Sequence, residues 1–166
     1  MTSAKISLFL ALLATGLCAG LFYAYSCSVN PGLAKLDNKA YVTAMQSINV
    51  EIQNPAFFAS FLGSFLLIPI ATWLSYNGRF NLKCSVLLLA SLVYIVGAFG
   101  VTVASNVPLN EKLALLDASI ASDLEIGTAR EAFEKSWNAW HSVRTWASVV
   151  AFALLGWAAF LSESDN

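Results

Sequence analysis

The sequence predicts an all-α protein: a transmembrane four-helix bundle with an extramembrane helical cap formed by its two long connections. Two observations favour this class. The 166 residues are 58% hydrophobic and only 11% charged, whereas roughly a quarter of the residues in an ordinary soluble domain are charged. The apolar residues are also concentrated in four long windows. We therefore expect residues 1–166 to form a single integral membrane domain.

Four windows are long enough to cross the hydrocarbon core of a bilayer, which takes on the order of 20 apolar residues in a helix. None of them contains Asp, Glu, Lys, Arg or His, and they cover residues 6–25, 55–75, 84–103 and 145–161. Backbone polar groups in lipid must be bonded within their own segment, so each window should be helical. Lys5 before the first window also resembles the start of a secretory signal, but the apolar run is too long, and a retained helix is expected.

Small residues recur at close spacing within two of these windows. Gly16 and Gly20 form a GxxxG pattern in the first window, and Gly97 and Gly100 lie together in the third. Such residues allow helix backbones to approach closely in a membrane. The pattern predicts tight helix packing at these positions.

The connections predict an orientation in the membrane. The short connection between the second and third windows carries Arg79 and Lys83, and Lys5 precedes the first window. Basic residues in short segments near the membrane favour the cytoplasmic side. We therefore expect a multi-pass protein of the plasma or inner membrane with both termini in the cytoplasm.

The first long connection, residues 26–54, contains a predicted helix. Tyr41, Met45, Ile48 and Ile52 recur at helical spacing and form one apolar stripe. Asp37 or Asn38 is expected to cap its start.

The second long connection, residues 104–144, predicts helical structure at both of its ends. Leu109, Leu113 and Leu116 lie on one helix face near its beginning. Thr128 and Glu131 match a capping box, in which each side chain satisfies a backbone amide of the other residue. A helix that begins there and continues into the last window extends beyond the bilayer, so its protruding turns are expected to pack on the other connection as a cap.

The stretch WNAWHSVRT, residues 137–145, holds the polar groups nearest to the last window. Trp137, Trp140, His141 and Arg144 stand at positions i, i+3, i+4 and i+7, which is one helix face. One interpretation is a membrane-interface anchor, because Trp is enriched at interfaces and Arg extends towards headgroups. The other is a small-molecule pocket with aromatic walls and a few convergent polar groups.

Further polar side chains are expected at the same level of the bundle. Asn30 follows the first window, and Asn106 and Asn110 follow the third. Tyr41 and Asn49 of the predicted connection helix complete the set that we expect to contact a ligand.

Composition excludes some kinds of partner and cofactor. The net charge of −1, without a long basic run, predicts no nucleic-acid partner. Because the chain has one His, no metal site is expected. Haem with His141 as its single axial ligand stays open, as does a protein partner or a homo-oligomer.

Four ordered segments resemble the anthrone oxygenase-like family, which consists of small four-span membrane proteins, mostly without an assigned activity. The segments are GLFYAYSCSVNPGL, AMQSINVEIQNPAFFASFLGS, YIVGAFGVTVASNVPLN and WNAWHSVRT. The resemblance covers most of the chain. It implies oxidation of a lipophilic aromatic, an anthrone, to an anthraquinone by O₂ without a cofactor.

The resemblance also implies roles for individual residues. His141 would be the general base and Arg144 would stabilise negative charge. Trp137 and Trp140 would form the walls, while Asn106 and Asn110 would bond to ring oxygens. The family pattern at this point often reads Trp-Asn-His-Val-Arg-Thr, whereas here Trp140 is followed by His141-Ser142-Val143. Either the base is not this His, or the family needs none.

Two functions of different class follow. The first is a cofactor-independent monooxygenase acting in a pocket at the membrane rim, with Arg144, His141 and Asn110 as catalytic residues. The second is a non-catalytic membrane subunit, or a protein that binds lipid, quinone or haem within a larger complex.

Overall fold

Helices form the whole architecture of the described chain. The computed structural model describes residues 2–76, 78 and 80–161, and no strand occurs among them. We number the helices α1 (Ser3–Leu33), α2 (Asn38–Glu51), α3 (Pro55–Ser75), α4 (Leu82–Ala114) and α5 (Asp123–Phe160). All but α2 are long and apolar enough to cross a membrane. The predicted class, an all-α bundle of four spanning helices, is confirmed, and the chain is a multi-pass membrane protein.

The helices α1 and α4 extend much further than the predicted windows. α1 continues through a π-helical stretch, Tyr25–Val29, and α4 contains two, Val93–Gly100 and Thr102–Asn106. Pro31 and Pro108 each lie just after such a stretch. The hydrogen-bond register changes there, so a missing N–H is tolerated and the helix continues. The predicted long connections therefore contain less non-helical chain than expected.

The last helix begins five residues before the predicted capping box. Ser122 caps α5: its hydroxyl accepts from the Glu125 amide at 3.3 Å, and the Glu125 carboxylate accepts from the Ser122 amide at 2.8 Å. Thr128 lies inside the helix, where its hydroxyl donates to the Leu124 carbonyl at 2.8 Å. The prediction of a start at Thr128 was wrong because Ser122 and Glu125 form a capping box six residues earlier, and Ile126 in that first turn is buried.

The first connection folds as predicted at its start. The side chain of Asp37 accepts a hydrogen bond from the Ala40 amide at 2.8 Å and caps α2. Tyr41 and Met45 of the predicted stripe are buried, together with Val42.

Two apolar cores lie one above the other. The bundle core combines side chains of all four spanning helices, among them Phe61, Leu87, Tyr94 and Leu155. A second core joins α2 to the ends of α4 and α5, and its members are Tyr41, Val42, Met45, Leu113, Ala118, Ile126, Phe133 and Trp137. This second core is the extramembrane cap, so α2 and the extensions of α4 and α5 provide it.

Glycine allows a close approach between two spanning helices. A Cβ atom on Gly97 would lie 2.7 Å from the Cβ of Ala147, so α4 and α5 can be this close only without it. A Cβ on Gly16 would lie 2.9 Å from the ring of Phe152. No such neighbour lies within 4 Å of Gly20, which therefore does not mediate the packing expected of it.

Polar contacts fasten the cap helix α2 in place. The side-chain amide of Gln46 donates to the carbonyls of Leu113 and Leu116, at 2.9 and 2.8 Å. Leu113 lies in the last turn of α4 and Leu116 lies two residues beyond its end, where carbonyls lack the usual i+4 amide partner. α2 is thus held across the top of the bundle. Arg79, on which the predicted orientation partly depends, lies outside the described residues.

Candidate functional site

A cavity of about 470 Å³ lies at the junction of the cap and the bundle. All five helices contribute to its lining, which is predominantly aromatic and aliphatic. The aromatic side chains that line it include Phe22, Tyr25, Phe57, Phe61, Phe99 and Trp137. Its volume lies within the range of roughly 300–1,000 Å³ that is usual for small-molecule sites.

Arg144 is the cation in the wall of this cavity. Its side chain is only 8% exposed, and its guanidinium carbon lies 4.4 Å from the ring centre of Phe22 and 5.1 Å from that of Trp137. Nη1 also donates to the hydroxyl of Thr102 at 3.4 Å. In the described part of the chain, no carboxylate lies within 4.0 Å of the guanidinium. A buried cation without a counter-ion is costly, so the arrangement suits an anionic ligand.

His141 fixes the guanidinium of Arg144 by accepting two hydrogen bonds from it. Nε and Nη2 of Arg144 both donate to its Nδ1, at 3.1 and 3.0 Å. The other ring nitrogen, Nε2, lies 3.1 Å from the carbonyl oxygen of Phe22. A carbonyl only accepts, so Nε2 carries the hydrogen and Nδ1 offers its lone pair to Arg144. In this tautomer both nitrogens are engaged, which favours a positioning role over that of a general base.

Trp137 and Asn110 form a second polar contact at the cavity wall. The indole N–H donates to Oδ1 of Asn110 at 2.8 Å. The same indole is stacked on the imidazole of His141, with ring centres 4.9 Å apart and an interplanar angle of 6°. Asn110 is half-buried and lines the cavity. The stacked rings therefore continue the wall that Arg144 begins.

Asn106 and Asn49 each leave one polar atom unpaired. Asn106 is fully buried, its Nδ2 donates to the carbonyl of Trp137 at 3.2 Å, and its Oδ1 has no partner. It does not belong to the cavity lining. Asn49 does line the cavity, and its buried Nδ2 has no partner.

The structure separates three other predicted contact residues from the cavity. Trp140 is 43% exposed and does not line it. At about 100° per residue it lies at the edge of the predicted face, about 60° from Trp137. Asn30 is half-buried and also lies outside the lining. Tyr41 is buried in the cap core, where Arg130 lies over its ring at 4.4 Å.

Several lining residues were not predicted. Phe22, Tyr25, Phe57, Phe61 and Phe99 lie in apolar windows, where a lining aromatic cannot be distinguished from one that faces lipid. Thr102 carried a weak signal, because it is a polar residue within the third window. Its hydroxyl donates to the Ala98 carbonyl at 2.8 Å and faces Arg144. The catalytic and binding roles given to the predicted residues stay predictions.

The described residues contain no group of three His, Cys, Asp or Glu side chains arranged to hold a metal ion. The polar groups of the cavity are instead the Arg144 guanidinium, the engaged imidazole of His141, side-chain amides, the hydroxyls of Tyr25 and Thr102, and the carboxylate of Glu111. This set can bind oxygen atoms of a ligand and stabilise negative charge on them.

Comparison with known proteins gives one match. The profile of the anthrone oxygenase family matches residues 56–154, which is more than half of the chain and contains α3 except Pro55, all of α4 and most of α5. No curated protein and no solved structure matches the chain. The matched region includes Trp137, His141 and Arg144. The chain belongs to the anthrone oxygenase family.

Proposed function

We propose that the protein is a membrane-bound monooxygenase that oxidises the central methylene of an anthrone-type aromatic with O₂. In this reaction the methylene loses two hydrogens, one oxygen atom becomes the new carbonyl, and the other leaves in water. The observation that carries the proposal is Arg144, a buried cation without a carboxylate partner in the described chain, in the wall of an aromatic cavity. Family membership supports the choice of substrate class.

The proposed role of Arg144 follows from the charge that develops in the substrate. Removing a proton from the methylene places negative charge on the carbonyl oxygen across the central ring, because the product anion is fully aromatic. Donors fixed before the reaction stabilise such a charge most effectively in a site that excludes water. His141 and Thr102 fix the guanidinium from two sides. The proton goes to water or to a group other than His141, whose Nδ1 lone pair is engaged.

The rim of the cavity supports a lipophilic substrate. Phe58 and Leu62 of α3 are each 40% exposed, and Val103 of α4 is 51% exposed, and all three belong to the lining. α3 packs most extensively against α1, and it contacts α4 mainly along the first part of α4, up to Gly100. Phe61 of α3 still stacks on Phe99 of α4 in the cavity lining, and the two helices separate beyond this pair. This gap provides a lateral route for an apolar molecule dissolved in the bilayer.

The proposal is tested by O₂ consumption of detergent-purified protein with anthrone, with anthraquinone measured by absorbance. We expect uptake above the rate of spontaneous oxidation, with one anthraquinone formed for each O₂ consumed. Uptake no faster than in protein-free detergent would remove the proposed activity. Saturable binding of the anthrone without oxidation would instead favour the non-catalytic binding protein. A Soret band in the purified protein would contradict a cofactor-independent reaction.

A further inference from the structure

We propose that Glu111 of α4 is the general base of the reaction: its carboxylate takes a proton from the methylene of the substrate and releases it to water. The inference rests on the proposed function, which needs a base and leaves that group unassigned. It concerns the proton transfer alone, which precedes the reaction with O₂ and can be measured without it.

Few groups in the cavity wall can accept a proton. Of the described residues that line it, four are ionisable: Tyr25, Glu111, His141 and Arg144. The guanidinium is always protonated, the phenol of Tyr25 carries its own proton, and the Nδ1 lone pair of His141 is engaged by Arg144. Glu111 supplies the one carboxylate among these described residues. A carboxylate serves as the base for a carbon acid when the resulting oxyanion is stabilised elsewhere in the site.

Glu111 lies on the face of α4 that forms the cavity wall. Val107 lies four residues before it and Ala114 three residues after it, and both belong to the lining. Residues three and four apart are neighbours on a helix surface, so these three form one stripe. Lys112 is not part of the lining, and Leu113 is buried in the cap core. The stripe therefore places the Glu111 side chain along the cavity wall.

The carboxylate of Glu111 is free to accept a proton and to release it. Within residues 2–76, 78 and 80–161, no Lys, Arg or His side chain lies within 4.0 Å of it. The residue is also exposed to solvent. Because Glu111 borders both the cavity and the surrounding water, a proton taken from the substrate can leave without a further relay.

The separation between Glu111 and Arg144 matches the two ends of the reacting ring. Arg144 donates to the hydroxyl of Thr102, and Glu111 follows Thr102 on α4 by roughly 13 Å along the axis at 1.5 Å per residue. Helical side chains tilt towards the N-terminus, which brings the carboxylate nearer to Arg144. The methylene and the carbonyl of an anthrone lie across the central ring from each other. A contact of about 3 Å at each end, with the ring and its carbonyl between them, comes to about 10 Å.

The proton transfer is balanced within the site. A methylene C–H bond breaks, its proton joins a carboxylate oxygen of Glu111, and the electron pair moves through the ring to the carbonyl oxygen beside Arg144. The carboxylic acid then gives the proton to water, which restores Glu111. The resulting anion is the species that O₂ oxidises under the proposed function.

The test follows exchange of the anthrone methylene hydrogens for deuterium, in D₂O and without O₂, by proton NMR. Exchange requires removal of the methylene proton but no oxidation. We expect detergent-purified wild-type protein to exchange these hydrogens faster than protein-free detergent. Glu111→Gln keeps the size of the side chain and should lower the protein-dependent rate about 10²- to 10⁴-fold, the usual contribution of a general base. Glu111→Asp keeps a carboxylate and should retain more of the rate.

Glu51→Gln is the matched control. Glu51 is an exposed carboxylate of α2 that lies between the lining residues Val50 and Ile52 but is not part of the lining, so this variant should exchange at the wild-type rate. Affinity for anthraquinone, which has no methylene hydrogens, is measured by quenching of tryptophan fluorescence and should be equal in the wild type and Glu111→Gln.

Four results would overturn the inference. They are exchange by Glu111→Gln at the wild-type rate, equal losses in Glu111→Gln and Glu51→Gln, no protein-dependent exchange in the wild type, and a fall in exchange matched by an equal fall in anthraquinone affinity. In the last case Glu111 would bind the substrate rather than react with it.

Exchange and O₂ consumption separate this inference from the proposed function. Exchange that depends on Glu111, in a protein that consumes no O₂, would retain Glu111 as a base and remove the proposed oxygenase activity. Anthrone oxidation that is as fast in Glu111→Gln as in the wild type would retain the oxygenase activity and remove Glu111 from its mechanism.

Discussion

Two arginines on α5 are expected to respond in opposite ways to the same substitution. Arg144 lines the cavity, and in the described chain no carboxylate lies within 4.0 Å of its guanidinium. Arg130 lies in the cap, where its Nε is 2.7 Å from Glu134 and Nη1 and Nη2 donate to the carbonyls of Leu36 and Ala34. Both stack on an aromatic ring at 4.4 Å. Replacing each by Met removes the charge and keeps much of the apolar stem.

For Arg144→Met we expect a large loss of activity without a large loss of stability. Removing a donor that stabilises a developing oxyanion lowers kcat by about 10²–10³. The substitution lowers the free energy of unfolding by removing two cation–π contacts, each about 0.5–2 kcal/mol, and the hydrogen bonds to His141 and Thr102, each about 0.5–1.5 kcal/mol. The substitution also raises the free energy of unfolding, because it removes the cost of burying a cation without a counter-ion, which is several kcal/mol. These contributions oppose each other, so we expect a net change of less than about 1 kcal/mol.

For Arg130→Met we expect the reverse result. Its ion pair and carbonyl contacts join α5 to the segment before α2, and their loss should lower the free energy of unfolding by about 1–3 kcal/mol. The cavity is unchanged, so kcat should stay within about threefold of wild type, as expected for a residue that makes no contact in the transition state. O₂ consumption with anthrone measures kcat, and thermal unfolding in detergent measures stability. If Arg144→Met retains full activity, or if both variants lose stability and activity together, the reasoning about Arg144 is refuted.

Three further predictions concern the support of the site. His141→Asn should lower kcat about 10- to 100-fold, because it releases the Arg144 guanidinium, and it should leave the shape of the pH–rate profile unchanged. Loss of one limb of that profile would instead identify His141 as the base. Gly97→Ala should lower the free energy of unfolding by about 1–3 kcal/mol, since the added methyl group meets Ala147. Gly20→Ala is the control, because Gly20 has open space around it, and it should leave the free energy of unfolding unchanged. Equal losses of stability in the two variants would contradict the packing argument. Gln46→Leu should raise KM and speed hydrogen exchange in α2, and unchanged exchange would show that its two bonds do not hold the helix.

Much of the bundle could be predicted because its cause is local. The second window, residues 55–75, coincides with α3 at both ends. Asn54 and Pro55 begin that helix by ordinary N-terminal rules, since the Asn54 side chain accepts from the Phe57 amide at 3.0 Å. The ends of α1 and α4 escaped prediction, because π-helical stretches carry these helices past the point where the apolar run stops.

Some features of the site could be predicted from one helix, and others depend on contacts between distant parts of the chain. Helical spacing alone placed Trp137, His141 and Arg144 on one face, because residues three, four and seven apart on a helix are neighbours. The same spacing included Trp140, which is 43% exposed. Periodicity describes a face about 100° wide, whereas the position of the neighbouring helices decides which part of that face reaches the cavity.

By itself, the sequence determined the class of protein, its four spanning helices and the helix face that carries Arg144. These depend on hydrophobic length and on helical period, and both act within one segment. The tertiary structure decided what that face can do. The carbonyl of Phe22 lies 119 positions from His141 and sets its tautomer, and Thr102 lies 42 positions from Arg144. Asn49 lines the cavity only because α2 packs across the end of α4. Hydrogen-bond partners far apart in the chain are fixed by packing, which no single segment encodes.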